Sequence, residues 1–165
     1  ELVGVDVSAA MLAEAQHPLD AGAVQIEKLS LVQSDFLTVP LEPSRFDLVY
    51  SIGVLGEHVP FDLAIAKRVH RWLTPGGRFA FTAVHRESFS VPRTTSRRMG
   101  EWLMRVTPAV VRRPLRERLL SGGLYVDEQY LREVLREAAF DIESLESHES
   151  DVHLHCLCVA RKAIA

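Results

Sequence analysis

Short apolar runs alternate with amphipathic stretches along the first half of this chain. Leu2–Val7 (LVGVDV) is apolar except for Asp6 and predicts a buried strand. Ser8 then stands where a helix N-cap belongs. Met11, Leu12 and Ala15 follow at helical spacing up to Pro18, where the pattern predicts the helix to end. Runs from Lys28 (KLSLVQ) and Phe46 (FDLVYSI) predict two more strands. A helix is predicted from about Phe61 to Leu73, with Ile65, Ala66, Val69, Trp72 and Leu73 on one face and Lys67, Arg68 and Arg71 outside. Thr74–Arg78 (TPGGR) is a breaker and tight turn that feeds the strand RFAFTAV. Strands alternating with helices imply βαβ units and a mostly parallel sheet, with ligands at the carboxyl ends of the strands.

From Arg86 to Gly123 the alternation stops. The stretch carries nine arginines against three glutamates. Met99, Trp102, Leu103 and Val106 fit one helical face, and Val110, Val111, Leu115, Leu119 and Leu120 suggest a second segment. We read 86–123 as a helical insertion capping the active edge of the sheet; a solvated excursion that only covers an edge fits equally. Its guanidinium groups suit an acidic or phosphorylated acceptor, or simply a solvated surface. Beyond it, Asp127 can cap a helix with the stripe Leu131, Val134, Leu135 and Ala138. FDIESLES and VHLHCLCVARK then read as two closing strands in a hairpin.

Composition narrows the class. A length of 165 residues fits a single domain, 1–165, and 47% hydrophobic with 25% charged residues is ordinary for a globular chain. A net charge of −3 argues against dedicated nucleic-acid binding. No apolar run reaches the ~20 residues of a membrane span, and no signal peptide is visible. Cys156 and Cys158 are too few and too close for a disulfide framework, so a reducing cytoplasm is the default. In HLHCLC, His153 and His155 share one strand face and the cysteines the other, so the four cannot converge on one metal ion from a straight strand. No metal is expected.

Four motifs, read in order, carry the chemistry: GVDVSAAML, QSDFLTVP, FDLVYSIGVLGEHVP and VHRWLTPGGRFAFTAV. As an ordered set they resemble the class I S-adenosylmethionine-dependent methyltransferases, closely over Leu2–Val84 and more loosely over YVDEQYLREVLREAAFDIESLE. The resemblance implies a Rossmann-like α/β fold with flanking helices and an antiparallel last strand. The Arg86–Gly123 insertion would follow the family's fifth strand. It also implies S-adenosylmethionine as cofactor. Asp6 would bind the ribose hydroxyls, and Val7 and Met11 would pack on the adenine. Asp35 would accept from the adenine amino group and the Phe36 N–H would donate to a ring nitrogen. Ser51, Ile52 and Gly53 would line the methionine portion. Each residue also has a plainer reading: Met11 as core packing on the inner face of its helix, Asp35 as the start of a turn, Gly53 as a flexible link.

The implied reaction is methyl transfer to a small-molecule acceptor at O, N or C. Any base would come from Glu57 and His58, just past the cofactor loop, or from His85 at the end of the next strand. The resemblance gives no partner beyond the acceptor and leaves a homodimer open. Two other readings compete: a methyltransferase-like module without activity that binds or dimerises, and a nicotinamide-dependent oxidoreductase using Asp6. The glycine-rich loop and first strand of the family occur nowhere in these residues. The fold is therefore expected to be N-terminally truncated here, with the biological chain continuing upstream. The absent strand would lie between those of LVGVDV and FDLVYSI.

Overall fold

A computed structural model of the chain describes residues 1–90, 125–149 and 154–164. They fall into two compact units, 1–41 and 42–165. The insertion beyond Ser90 and the residue His153 lie outside the described residues.

The first unit is a parallel βαβ: β1 (Leu2–Asp6), α1 (Ala9–Asp20) and β2 (Leu29–Gln33). The two strands pair in register from Leu2↔Leu29 to Asp6↔Gln33. The Ser8 hydroxyl caps α1 by accepting from the Met11 N–H at 3.3 Å, as expected of a short polar side chain whose backbone is still extended. Two expectations about α1 need correcting. The helix does not stop at Pro18 but runs to Asp20, closed by Ala21 N–H to His17 C=O and Gly22 N–H to Leu19 C=O, both 2.9 Å. Proline removes one donor, and so near the helix end the cost is one lost bond that the closing turn absorbs. Met11 is not on a packed inner face; it is 57% exposed, and α1 has no fully buried residue.

The second unit contains β3 (Phe46–Ser51), α2 (Leu63–Trp72), β4 (Leu73–Val84), a 3₁₀ turn (Arg86–Ser90), α3 (Glu128–Glu137), β5 (Phe140–Glu149) and β6 (Leu154–Lys162). Its sheet has the order β3-β4-β6-β5. β3 runs parallel to β4, while β6 is antiparallel to both β4 and β5, which gives the expected closing hairpin and antiparallel last strand. β1 pairs with β2 and β3 with β4; the two pairs belong to separate sheets. The TPGG turn is a bulge within β4: Phe46 faces Leu73, then Leu48 faces Arg78, so Thr74–Gly77 loop out opposite Asp47 alone.

Alternation along β4 sends Phe79, Phe81 and Ala83 into the core. They meet Ile65, Ala66, Val69 and Trp72 of α2, while Leu131, Val134 and Leu135 of α3 bury beside Phe140. The Phe61 ring stacks on Phe81 at 4.7 Å and Phe81 on Phe79 at 4.5 Å. Each such ring contributes about 1.5–3 kcal/mol by leaving water. Asp62 and Asp127 cap α2 and α3 by accepting from Ile65 and Tyr130 N–H at 2.9 and 2.7 Å. Arg68, predicted to point outward, is half-buried with its guanidinium 5.2 Å over the Trp72 ring. Tyr130 ties the two helices' neighbourhoods together by donating its hydroxyl to the Phe61 carbonyl at 3.1 Å. Burial and the nearby Asp62 raise its phenol pKa. Among the described residues no helix is long and apolar enough to cross a membrane.

Candidate active site

In the first unit, both aspartates named from the sequence sit at the carboxyl ends of neighbouring strands. The Asp6 carbonyl accepts from the Ser34 N–H at 3.0 Å, extending the β1–β2 ladder one rung and bringing the segment that starts with Asp35 alongside the end of β1. One Asp6 carboxylate oxygen accepts from the Ser8 N–H at 2.7 Å, which orients the carboxylate across the start of α1. Asp35 does the same locally: its Oδ1 accepts from the Leu37 N–H at 2.8 Å, and its carbonyl from Thr38 and Val39 N–H at 3.0 and 2.8 Å. So Asp35 does begin a turn, as its plainer reading held. In each case the second carboxylate oxygen has no partner among the described residues, which leaves an acceptor for a hydroxyl or an amino group. Gln33 braces this end by donating its side-chain amide to the Val7 carbonyl at 3.2 Å. Beside Asp6, Val7 (67%) and Met11 (57%) are exposed apolar side chains, suited to a flat ring. Phe36 is half-buried in the turn that Asp35 opens.

In the second unit, β3 ends at Ser51 and the chain turns at Gly53, whose φ is +70°. A residue with a Cβ resists that conformation. Ile52 stands 61% exposed in this turn. From Gly53 to Pro60 the chain knots on itself. The Val54 carbonyl collects the N–H groups of Glu57, His58 and Val59 at 3.3, 2.9 and 3.1 Å, and Gly56 N–H reaches the Val59 carbonyl at 2.7 Å. Leu55, 1% exposed, anchors the knot. The Glu57 carboxylate folds back to Gly53: a Cβ built there would lie 3.9 Å from Glu57 Oε2. His58 is exposed and sits four residues before the helix-capping Asp62, so it does not open α2.

His85 follows the last residue of β4. Its N–H donates to the Leu154 carbonyl at 2.8 Å, and its Nδ1 accepts from the Glu87 N–H at 3.1 Å. The neutral ring therefore carries its proton on Nε2 and offers a donor, whereas a base needs a lone pair there. Next to it Arg86 pairs with Asp127 at 2.9 Å. The structure thus joins Glu57 to the Gly53 turn and gives His85 a separate hydrogen-bonded setting. Sequence reasoning missed Thr82, whose hydroxyl accepts from the Gly53 N–H at 3.0 Å. A polar residue alternating with Phe81 and Ala83 on a core strand was the available signal.

The metal reading of HLHCLC finds no support in the strand geometry. Cys156 and Cys158 both face the core and are fully buried, and burial raises their thiol pKa values to about 11 and about 12. His155 precedes them on β6, in register with Val84 and His148.

Residues 1–81 match the model of the methyltransferase domain family. Over this stretch, just under half of its length, the chain is similar to that family. It is 34% identical over 86 residues to a ubiquinone biosynthesis O-methyltransferase of Pseudomonas syringae pv. tomato, a match covering 52% of this chain and 35% of that enzyme. The chain thus spans about a third of the length of this curated methyltransferase. Among solved structures, an S-adenosylmethionine-dependent methyltransferase from Mesorhizobium loti superposes with a TM-score of 0.63 at 21% identity, covering 97% of this chain and 79% of that one. A magnesium protoporphyrin IX methyltransferase from Synechocystis, solved with bound SAH, superposes with a TM-score of 0.62 at 14% identity, covering 98% and 63%. The fold is the Rossmann-like α/β fold of these methyltransferases.

Proposed function

We propose that this chain forms part of a single-domain enzyme that transfers a methyl group from S-adenosylmethionine to a small-molecule acceptor. The observation that carries this reading is the pair Asp6 and Asp35, placed on adjacent carboxyl ends of a parallel βαβ within the family-matched stretch. Each has one carboxylate oxygen tied to backbone N–H and one left to accept. That donor set fits the cofactor: two ribose hydroxyls and an exocyclic amino group need acceptors, and an adenine ring needs apolar faces such as Val7 and Met11. In this reading Asp6 holds the ribose, Asp35 and the Phe36 N–H hold the adenine edge, and Ser51, Ile52 and Gly53 line the methionine portion.

The bound cofactor supplies a methyl group already activated on a sulfonium. The chain's own residues then need only to hold, align and exclude water. Where the acceptor must lose a proton, Glu57 and His58 are the candidates, since among the described residues no backbone group occupies either side chain in the way one occupies His85. His85 then serves as a hydrogen-bond donor toward the acceptor. The same reading makes 86–123 an acceptor-side insertion and the protein cytoplasmic, without nucleic acid, membrane or metal partners.

Mass spectrometry of the purified 165-residue chain, native and after denaturation, tests the proposal in the presence of S-adenosylmethionine. A one-to-one adenosyl adduct in the native spectrum, absent from an Asp6→Ala variant, is expected. A native spectrum free of adduct at saturating cofactor overturns it.

A further inference from the structure

On β4 the residues alternate between two environments. Phe79, Phe81 and Ala83 are fully buried, while Ala80 and Thr82 are partly exposed. A valine would serve at position 82 as well as threonine, since its register neighbour on β6 is Leu157. The hydroxyl nevertheless has a partner, and it lies on the cofactor turn. The last rung of the β3–β4 ladder is Ser51↔Phe81. One residue further on, Ile52 would face Thr82 if the ladder continued. Instead the chain turns at Gly53 with φ +70°, and the Gly53 N–H, which has lost its strand partner, is taken by Thr82 Oγ1 at 3.0 Å.

Threonine is suited to this task. Its branched Cβ restricts χ1, so the oxygen is held in place by the strand rather than by its own flexible stem. Its own hydroxyl hydrogen has no acceptor among the described residues and can rotate to leave a lone pair facing Gly53. A hydrogen-bonded glycine turn is pre-organised before ligand arrives, so less ordering is paid on binding.

We propose that Thr82 is a positioning residue for the cofactor turn: by accepting from Gly53 N–H it fixes the Ser51–Gly53 backbone and so sets affinity for the methionine portion of the ligand. This rests on the cofactor reading given above. Thr82→Val keeps shape and strand propensity but removes the acceptor; Thr82→Ser keeps the acceptor.

The test measures two things on the 165-residue chain. Amide exchange at Gly53 rises roughly three- to tenfold in Thr82→Val, the factor one ordinary hydrogen bond carries, and returns toward wild type in Thr82→Ser. The dissociation constant for S-adenosylhomocysteine by calorimetry weakens by a similar roughly three- to tenfold in Thr82→Val and is rescued in Thr82→Ser, with the thermal midpoint of Thr82→Val unchanged. Unchanged Gly53 exchange in Thr82→Val overturns the positioning role, whatever the ligand does. Equal loss of affinity in both variants overturns it too, because the hydroxyl would then not be the cause. A wild-type chain that binds no S-adenosylhomocysteine, while Gly53 exchange responds as expected, overturns the cofactor reading and the affinity half of this proposal together.

Discussion

Replacing Lys162 with methionine removes the charge that closes the C-terminus of α2. A helix leaves its last carbonyls without partners inside its own ladder. In α2 the Leu73 N–H takes the Val69 carbonyl, and the next four carbonyls are all satisfied from outside. Ser44 and Arg45 N–H donate to the Arg71 and Trp72 carbonyls, each at 2.8 Å. Lys162 Nζ donates to the carbonyls of His70 and Leu73 at 2.9 and 2.8 Å, reaching back about ninety residues in sequence from the last strand. A hydrogen bond to a charged group is worth about 1.5–3 kcal/mol, and a cation at a helix C-terminus adds about 0.3–1. His70 is half-buried, so water can replace some of what is lost there, whereas Leu73 is fully buried. We therefore expect Lys162→Met to cost about 2–3 kcal/mol in all. For a chain of this size that lowers the thermal midpoint by roughly 4–12 °C. Methionine retains most of the apolar stem, so packing loss does not account for the change. A loss below about 0.5 kcal/mol in urea or thermal unfolding would refute the reasoning, since it would mean that water caps these carbonyls as well as the ammonium does.

The same substitution has a pH signature. His70 stands edge-on to Phe140, and burial followed by the Lys162 charge lowers its pKa below 6.5, against a smaller opposing hydrogen bond at Ala139. The folded state therefore binds a proton on His70 less readily than the unfolded state does. Above pH 6.5 neither state holds it and nothing is lost; as pH falls below 6.5 toward the folded value, stability declines. In Lys162→Met one of the two depressing causes is gone, so the decline over that interval becomes shallower. Equilibrium urea titrations between pH 5 and 7 read the difference; an unchanged slope contradicts the charge effect.

Gly77→Ala should destabilise by about 1–3 kcal/mol, because a Cβ there meets the Thr74 and Phe46 carbonyl oxygens at 2.9 and 3.1 Å, both backbone and unable to move aside cheaply; the urea midpoint measures it. Gly53→Ala meets no such obstacle, only the +70° φ, so it should carry about 1–2 kcal/mol of strain, which relaxation of the turn would turn into weaker S-adenosylhomocysteine binding by calorimetry. Unaltered affinity would separate the turn from the ligand. Cys156 and Cys158, with pKa values of about 11 and about 12, should hold about one thiolate in a thousand or fewer at pH 8 and react with a disulfide reagent only as fast as the chain unfolds. Rapid labelling of the native protein would show that the β6 core face opens.

What could be read from the sequence was local or periodic. Period-two alternation in RFAFTAV, helical spacing in α2 and the capping aspartate before α3 each state a structure within a few residues of themselves. Asp6 was legible for the same reason: a carboxylate at a strand end followed by a helix cap has one place to go. The limits follow from distance and context. Met11 carries an apolar side chain that the spacing assigns to a packed face, but burial depends on what lies opposite, and α1 leaves it exposed. Pro18 is a breaker whose cost depends on how close the helix end is, which the pattern does not contain. Thr82 and Lys162 act on residues 29 and about 90 positions away, and no window along the chain joins them to Gly53 or to the end of α2. The plainer reading of Asp35 and its functional one proved compatible, because one carboxylate oxygen makes the turn while the other stays open.

The most direct test of the central claim is calorimetric titration of the 165-residue chain with S-adenosylhomocysteine, run beside Asp6→Asn. Asparagine can still accept from the Ser8 N–H and preserve the turn, but it brings no charge to the ribose hydroxyls. Saturable one-to-one binding by the wild-type chain, weakened about tenfold or more in a folded Asp6→Asn variant, is the predicted result. No heat from the wild-type chain at millimolar ligand, or equal affinity in the two proteins, would contradict it.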